Sequence, residues 1–177
     1  MCIRDSGMIE GGCQGTMRVE VAAHGKRSHS ARSWMGENAV HKAGEILDRL
    51  RAYTPRNPVV EALQFHEGLN AVSVRGGVAG NVIPDECVIA VNYRFAPDLS
   101  VEEAEAHLRE VFDGFEVTVV DAAAPARPGL DDPSAAAFVE AVGEGRARAK
   151  LGWTDVSLFS GLGVPAVNYG PGDPMLA

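Results

Sequence analysis

Apolar residues occupy every second position in several short runs of the first two thirds of the chain. In residues 16–23 the alternation predicts a strand with one buried face. Three further runs predict strands at 59–74, 87–95 and 115–120. We expect a bulge or bend near Gly68 and Asn70, which interrupt the second of these runs.

Two segments between these runs show the three-and-four spacing of amphipathic helices. The first covers residues 38–53 and is ended by Pro55 and Pro58. The second begins at Ser100, where Glu103 completes a capping box. The predicted order over residues 16–121 is β-α-β-β-α-β, an α+β, ferredoxin-like unit.

The composition changes after this unit. Residues 121–128 are rich in alanine and proline and predict a linker. A helix is predicted from Asp132 to about Gly145, a loop entering a helix near Thr154, and a buried strand at 164–169. These elements cannot enclose a core of their own, so we expect them to join a sheet whose other strands lie elsewhere.

The sequence therefore predicts three segments. Residues 1–15 combine an unrelated leading stretch with a remnant of a larger domain. Residues 16–121 form the ferredoxin-like unit, and residues 122–177 form a second piece of the larger domain.

Composition excludes several functional classes. The chain has 16 basic and 24 acidic residues and a net charge of −8, which argues against a nucleic-acid binder. The strand at 87–95 also lacks paired aromatic residues for stacking RNA bases. No apolar run is long enough to span a membrane, and no signal peptide is predicted. Three cysteines at unrelated spacings fit neither a disulfide framework nor a zinc ribbon and favour a reducing cytoplasm.

One loop concentrates the chemistry of the sequence. Residues 25–32 place His29 among a glycine, two serines and three cations. A neutral imidazole in such a loop can donate a hydrogen bond to a developing oxyanion. An ordinary surface histidine is the alternative interpretation.

Three other positions are candidates for binding. Asn81 follows a glycine-rich stretch and either caps a turn or contacts a ligand. Arg94 lies on a strand and needs a carboxylate partner, from the protein or from a substrate. Thr154 and Asp155 form either a helix N-cap or a backbone nest for a substrate carboxylate. The remaining histidines show no metal-site spacing, and these residues alone do not form a complete catalytic set.

Several motifs together resemble the lid domain of the di-zinc aminoacylase and exopeptidase family. They are Gly25-x-x-Ser-His29-Ser-Ala, Asn38-Ala-Val, Gly77-x-x-x-Asn81-Val-Ile-Pro84 and Asn92-Tyr-Arg94. Outside the lid, Gly152-Trp-Thr154-Asp155 resembles the same family. The resemblance covers residues 8–177 and implies a two-domain hydrolase, with an α/β domain that binds two zinc ions and a βαββαβ lid through which a homodimer forms.

The resemblance also implies residue roles. His29 would reach into the partner subunit's active site and polarise the scissile amide carbonyl, with Asn81 beside it. Arg94 would hold a carboxylate of a small dicarboxylate amide substrate, and Thr154 would bind substrate from the catalytic domain.

The chain departs from the family pattern at the metal ligands. A Glu-Pro ligand motif should stand where residues 3–6 are found, the other early ligands should lie upstream, and the last histidine should follow Ala177. We therefore expect a fragment that has no zinc site and is inactive alone. An acetylornithine deacetylase, a carboxypeptidase and a non-catalytic ferredoxin-like dimerisation module remain alternatives.

Overall fold

The computed structural model describes residues 7–143, 145 and 147–170. Its strands and helices, in chain order, are β1 Ile9–Gly11, β2 Gly15–His24, β3 Ser28–His29, a 3-10 helix Ser30–Met35, α1 Ala39–Ala52, β4 Val59–Val60, β5 Leu63–Gln64, β6 Gly68–Gly76, β7 Val82–Ile83, β8 Glu86–Phe95, α2 Val101–Val111, β9 Glu116–Ala123, α3 Pro133–Val142, β10 Ala147–Ala149, α4 Val156–Gly161 and β11 Val167–Tyr169. No helix among the described residues is long and apolar enough to cross a membrane.

The largest layer is a four-stranded antiparallel sheet in the order β6-β8-β2-β9, with α1 and α2 on one face. Alternate residues of the central strands are buried beneath the helices, as the period-two pattern predicts. The core includes Met17, Val19, Val21, Ile89, Val91 and Tyr93 from the strands and Ala39, Ala43, Ile46, Ala104 and Leu108 from the helices. The predicted βαββαβ unit and the Ser100–Glu103 capping box are confirmed.

A second sheet has three strands in the order β10-β1-β11 and combines the first strand of the chain with two strands that follow α3. Strand β1 pairs in parallel with β10 and antiparallel with β11. The tail of the chain thus completes a sheet with the residues that precede β2. The amide of Asn168 ties this sheet together by donating to the carbonyls of Glu10 (3.2 Å) and Gly12 (3.1 Å).

Two sequence predictions about the second strand run are wrong in detail. A bulge or bend was predicted near Gly68 and Asn70, but both residues are paired within β6. The shift in register between β6 and β8 falls between Ala71 and Ser73 instead. Before β6, the chain makes a small hairpin from β4 and β5. Its two turn residues, Glu61 and Ala62, have φ angles of 48° and 64° without any glycine or asparagine, so the sequence carried no turn signal.

The linker predicted at 121–128 is also wrong in part. Strand β9 continues through Ala123, because Asp121, Ala122 and Ala123 remain paired with β2. Beyond it, Ala126 forms an isolated bridge with Cys13. The predicted strand at 164–169 is shortened to β11. The predictions for residues 1–6 and 171–177 lie outside the described residues.

Candidate functional site

The loop that carries His29 is closed at its base by backbone hydrogen bonds. Lys26 and Glu37 exchange two N–H···O bonds, both of 2.8 Å. A β-carbon on Gly25 would lie 2.1 Å from the carbonyl oxygen of Glu37, so only glycine permits this closure. The segment predicted as plain loop therefore has a defined conformation, with β3 followed by a 3-10 helix.

This loop is fixed to the segment that carries Asn81. Strand β3 pairs with β7, so His29 lies opposite Val82, and the backbone N–H of Ser30 donates to the carbonyl of Asn81 over 2.9 Å. Arg27 adds an ion pair with Asp85 at 2.8 Å. Its guanidinium holds the pKa of Asp85 below the ordinary value. These contacts join two segments that are 52 residues apart in the chain.

The imidazole of His29 is oriented by its own backbone. Its Nδ1 accepts a hydrogen bond of 3.0 Å from the N–H of Ala31, so in the neutral ring the proton is on Nε2. Nε2 lies 3.4 Å from Nδ2 of Asn81. Both side chains are exposed, and the two N–H donors stand side by side. Such a pair can be shared by one acceptor oxygen, which is the arrangement of an oxyanion-binding site.

Arg94 and Thr154 do not lie beside His29 within one chain. Strand β8 rises about 3.3 Å per residue, which places Arg94 roughly 25 Å from the end of the strand that adjoins β7. Arg94 lies opposite Thr16 of β2 and Gly68 of β6. Within a single copy of the chain, the residues around Arg94 therefore lie apart from the loop that carries His29.

Thr154 lies near the Arg94 end of the sheet. Its carbonyl accepts a weak hydrogen bond from the Cys13 thiol at 3.8 Å, only two residues before β2 begins. The Thr154 hydroxyl is buried and has no hydrogen-bond partner among the described residues. It lines a cleft of about 520 Å³. The other lining residues are Trp153, Asp155, Val156, Phe159, Ala166, Val167 and Asn168. Asp155 precedes α4 without capping it through its side chain.

No metal centre is visible in the described part of the chain. It contains no group of three or more His, Cys, Asp or Glu side chains placed to hold an ion. Cys13 and Cys87 are buried free thiols, and burial raises the pKa of Cys87. These residues therefore do not fit a zinc site by themselves.

Sequence reasoning missed the polar neighbours of Arg94. Asn92, on the same strand, donates from Nδ2 to the hydroxyl of Thr16 over 3.3 Å, and it lies opposite Arg18. The only available signal was their even spacing along predicted strands. That spacing places them on one face of the sheet but does not reveal which strands are neighbours.

Comparison with known proteins places these residues in a family context. The family model described as peptidase dimerisation domain matches residues 12–117. A succinyl-diaminopimelate desuccinylase of Corynebacterium glutamicum is 47% identical over 176 residues. A Mycobacterium tuberculosis protein, provisionally named for the same activity, is 59% identical over 174 residues. These alignments cover 97% of this chain but only 48% and 49% of the two relatives. The chain thus spans about half the length of the curated relatives it matches.

Solved structures show the same fold at low identity. A tripeptidase of Staphylococcus aureus superposes with a TM-score of 0.71 at 20% identity, covering 95% of this chain and 46% of that one. A metallo-carboxypeptidase of Sulfolobus solfataricus gives a TM-score of 0.65 at 17% identity, covering 94% and 53%. Since the family model matches more than half of its residues, the chain belongs to the peptidase dimerisation domain family.

Proposed function

We propose that this chain is part of a succinyl-diaminopimelate desuccinylase. The reaction is the hydrolysis of N-succinyl-LL-2,6-diaminopimelate to succinate and diaminopimelate, a cytoplasmic step of lysine and diaminopimelate biosynthesis. The substrate assignment is supported by 59% and 47% identity to relatives named for this activity, over 97% of the chain.

The observation that carries the hydrolytic chemistry is the donor pair of His29 and Asn81. Amide hydrolysis develops negative charge on the carbonyl oxygen, and donors fixed before the reaction stabilise that charge. The Ala31 N–H fixes the imidazole ring, and the Ser30 N–H holds the Asn81 backbone. We propose that both side chains contact the scissile carbonyl oxygen.

We further propose that the enzyme is a homodimer in which these donors serve the partner's active site. The position of Arg94 supports this, because it lies roughly 25 Å along β8 from the end of that strand that adjoins β7, and β8 is paired with β2 over this whole length. In this arrangement residues 16–121 form the lid and dimerisation domain. Residues 1–15 and 122–177 belong to the catalytic domain, as the pairing of β1 with β10 and β11 supports.

Arg94 and Thr154 take substrate-binding roles in the proposal. Arg94 holds a substrate carboxylate through its planar guanidinium. The buried hydroxyl of Thr154 has no hydrogen-bond partner among the described residues, and Thr154 lines the cleft at the start of α4. The two zinc ions of the proposed enzyme need ligands beyond the part of the chain that the structure describes.

The test begins with the DNA on both sides of this reading frame. We expect His-x-Asp, Glu-Glu and Glu-Pro motifs upstream and a histidine directly downstream. The protein from the complete frame is then assayed with N-succinyl-LL-2,6-diaminopimelate and with N-acetylornithine. Preference for the succinylated substrate supports the proposal, and preference for N-acetylornithine points to the related deacetylase instead.

Replacement of His29 tests the donor pair in the same assay. His29→Ala should lower kcat by about 10²–10³-fold, the usual cost of losing an oxyanion donor. His41→Ala is the matched control, because His41 is an exposed histidine on α1. Equal effects of the two substitutions would contradict the role of His29.

A further inference from the structure

The chain passes between its two larger sheets at two places that lie side by side. Strand β1 leads into β2 through residues 12–14, and β9 leads out through Ala124. Cys13 and Ala126 join the two crossings through backbone hydrogen bonds of 2.9 and 3.0 Å. A β-carbon on Gly12 would lie 2.3 Å from the carbonyl oxygen of Ala126, so this close approach requires glycine. The junction between the sheets therefore has a defined backbone conformation.

The loop between β10 and α4 is tied to this junction by two side chains. Trp153 donates from Nε1 to the carbonyl of Ala124 over 3.2 Å, and Ser157 donates from Oγ to the same carbonyl over 2.6 Å. A carbonyl oxygen has two lone pairs and can accept both bonds. Ala124 directly follows β9, the last strand of the four-stranded sheet. Both donors thus hold the loop to the point where the chain leaves that sheet.

Thr154 lies between the two donors in the chain. Its carbonyl accepts from the Ser157 N–H at 3.0 Å and, weakly, from the Cys13 thiol at 3.8 Å. The Trp153 ring packs on a small core that includes Cys13 and Val156. These contacts fix the backbone of Thr154 in the wall of the cleft at the start of α4.

The fixed residue carries a polar group that the described part of the chain leaves without a partner. The Thr154 hydroxyl is buried there and makes no hydrogen bond. A buried hydroxyl without a bond costs free energy, which a polar group of a ligand recovers by pairing with it. A group held in place before binding also loses less conformational entropy when the ligand arrives. The contacts that hold Thr154 therefore favour binding at its hydroxyl.

We propose that Trp153 and Ser157 are positioning residues for substrate binding by Thr154. Their bonds to the Ala124 carbonyl keep the Thr154 hydroxyl in the cleft wall, where the substrate pairs with it. Both residues act through Thr154 and not on the reacting atoms. The inference deepens the proposed function and rests on it for the role of Thr154.

Kinetics of the complete enzyme test the two bonds one at a time. Trp153→Phe keeps an aromatic ring and loses the donor, and Ser157→Ala loses the other donor. Each should raise KM by about 3–10-fold, the factor that one hydrogen bond is worth, and leave kcat within about twofold. Ser160→Ala is the control, because Ser160 is an exposed serine on the same helix, and it should change neither constant. An unchanged KM in both Trp153→Phe and Ser157→Ala would overturn the proposal.

A double-substitution cycle separates positioning from a general loss of stability. Thr154→Val removes the hydroxyl at nearly constant volume and should itself raise KM. In that background Trp153→Phe should add less than about twofold, because no hydroxyl is left to position. Circular dichroism shows whether each variant is folded at the assay temperature, and Ser157→Ala takes the place of Trp153→Phe in the cycle if the latter is not. Effects on KM that simply multiply would show that the donors support only the fold.

The outcome is distinguishable from failure of the proposed function. If the complete enzyme prefers the succinylated substrate and the effects multiply, only the positioning roles of Trp153 and Ser157 are lost. If the enzyme prefers N-acetylornithine and the effects of Trp153→Phe and Thr154→Val on its KM do not multiply, the positioning roles stand and the proposed function is wrong.

Discussion

Glu67 is a fully buried carboxylate at the end of the sheet that carries Arg94, and its replacement tests how that end is held. Its Oε1 accepts from Arg56 Nη2 at 2.6 Å and from the Ala96 N–H at 2.9 Å. Its Oε2 accepts from Arg56 Nε at 3.1 Å and from the Tyr93 hydroxyl at 3.0 Å. The carboxylate therefore joins the segment before β6 to the residue after β8, and it raises the pKa of Arg56 above its ordinary value.

The substitution Glu67→Gln preserves the shape of the side chain and removes its charge. Breaking a buried ion pair costs about 3–5 kcal/mol. The cost is reduced here because Arg56 is 42% exposed and keeps Asp98 at 3.0 Å. In Glu67→Gln an NH2 group replaces one carboxylate oxygen and cannot accept a hydrogen bond. At least one of the donors that bond to Glu67 would therefore lose its acceptor. We expect a loss of about 3 kcal/mol in the free energy of unfolding, which corresponds to a decrease in Tm of about 6–12 °C.

Urea unfolding followed by circular dichroism measures this loss directly. Glu45→Gln is the control, because Glu45 pairs with Arg49 at 2.6 Å on the surface and is 61% exposed. Such a pair is worth less than about 0.5 kcal/mol. A loss below about 1 kcal/mol for Glu67→Gln, or one no larger than the control, would refute the account of the buried network.

Three further predictions concern stability. Burial, reinforced by the charge of Glu67, raises the pKa of Tyr93 far above its ordinary value. Above about pH 10 the unfolded state releases the Tyr93 proton, whereas the folded state keeps it. The contribution of Tyr93 to the free energy of unfolding is therefore complete below about pH 10 and decreases above it. Tyr93→Phe should therefore show a shallower decline in stability between about pH 9 and pH 11 than the unsubstituted chain, and an equal slope would contradict this. Asn38 caps α1 by accepting from the Val40 N–H at 2.9 Å, so Asn38→Ala should cost about 1 kcal/mol in urea unfolding while Asn38→Asp costs little. Ala62→Gly should raise stability by about 0.5–1 kcal/mol, because φ of 64° is strained for alanine; a decrease in the unfolding midpoint would show that the turn is not strained.

Local patterns in the sequence predicted most of the four-stranded sheet. Alternation identified β2 and β8, and the capping box located the start of α2. The hairpin of β4 and β5 was missed because Glu61 and Ala62 are not turn-forming residues, and contacts with other parts of the chain hold them in place. Glu61, for example, accepts from Arg127 Nε at 2.7 Å and from the Gly129 N–H at 2.8 Å.

The candidate site shows the limit of sequence reasoning more clearly. Composition and the glycine-rich context singled out His29 and Asn81, but their contact depends on a pairing of only two residues between β3 and β7. No periodicity signals so short a pairing. The surroundings of Arg94 depend in the same way on strand register, which the sequence alone left open.

Complementation between inactive subunits tests the central claim most directly. Two versions of the complete enzyme are prepared, one carrying His29→Ala and the other Arg94→Ala, and equal amounts are mixed under conditions that exchange subunits. If His29 acts in the partner's site, half of the dimers are mixed, and each has one intact site. About one quarter of the unsubstituted activity should then return. If activity stays at the level of the separate variants although mixed dimers form, His29 and Arg94 serve the same subunit and the account is wrong.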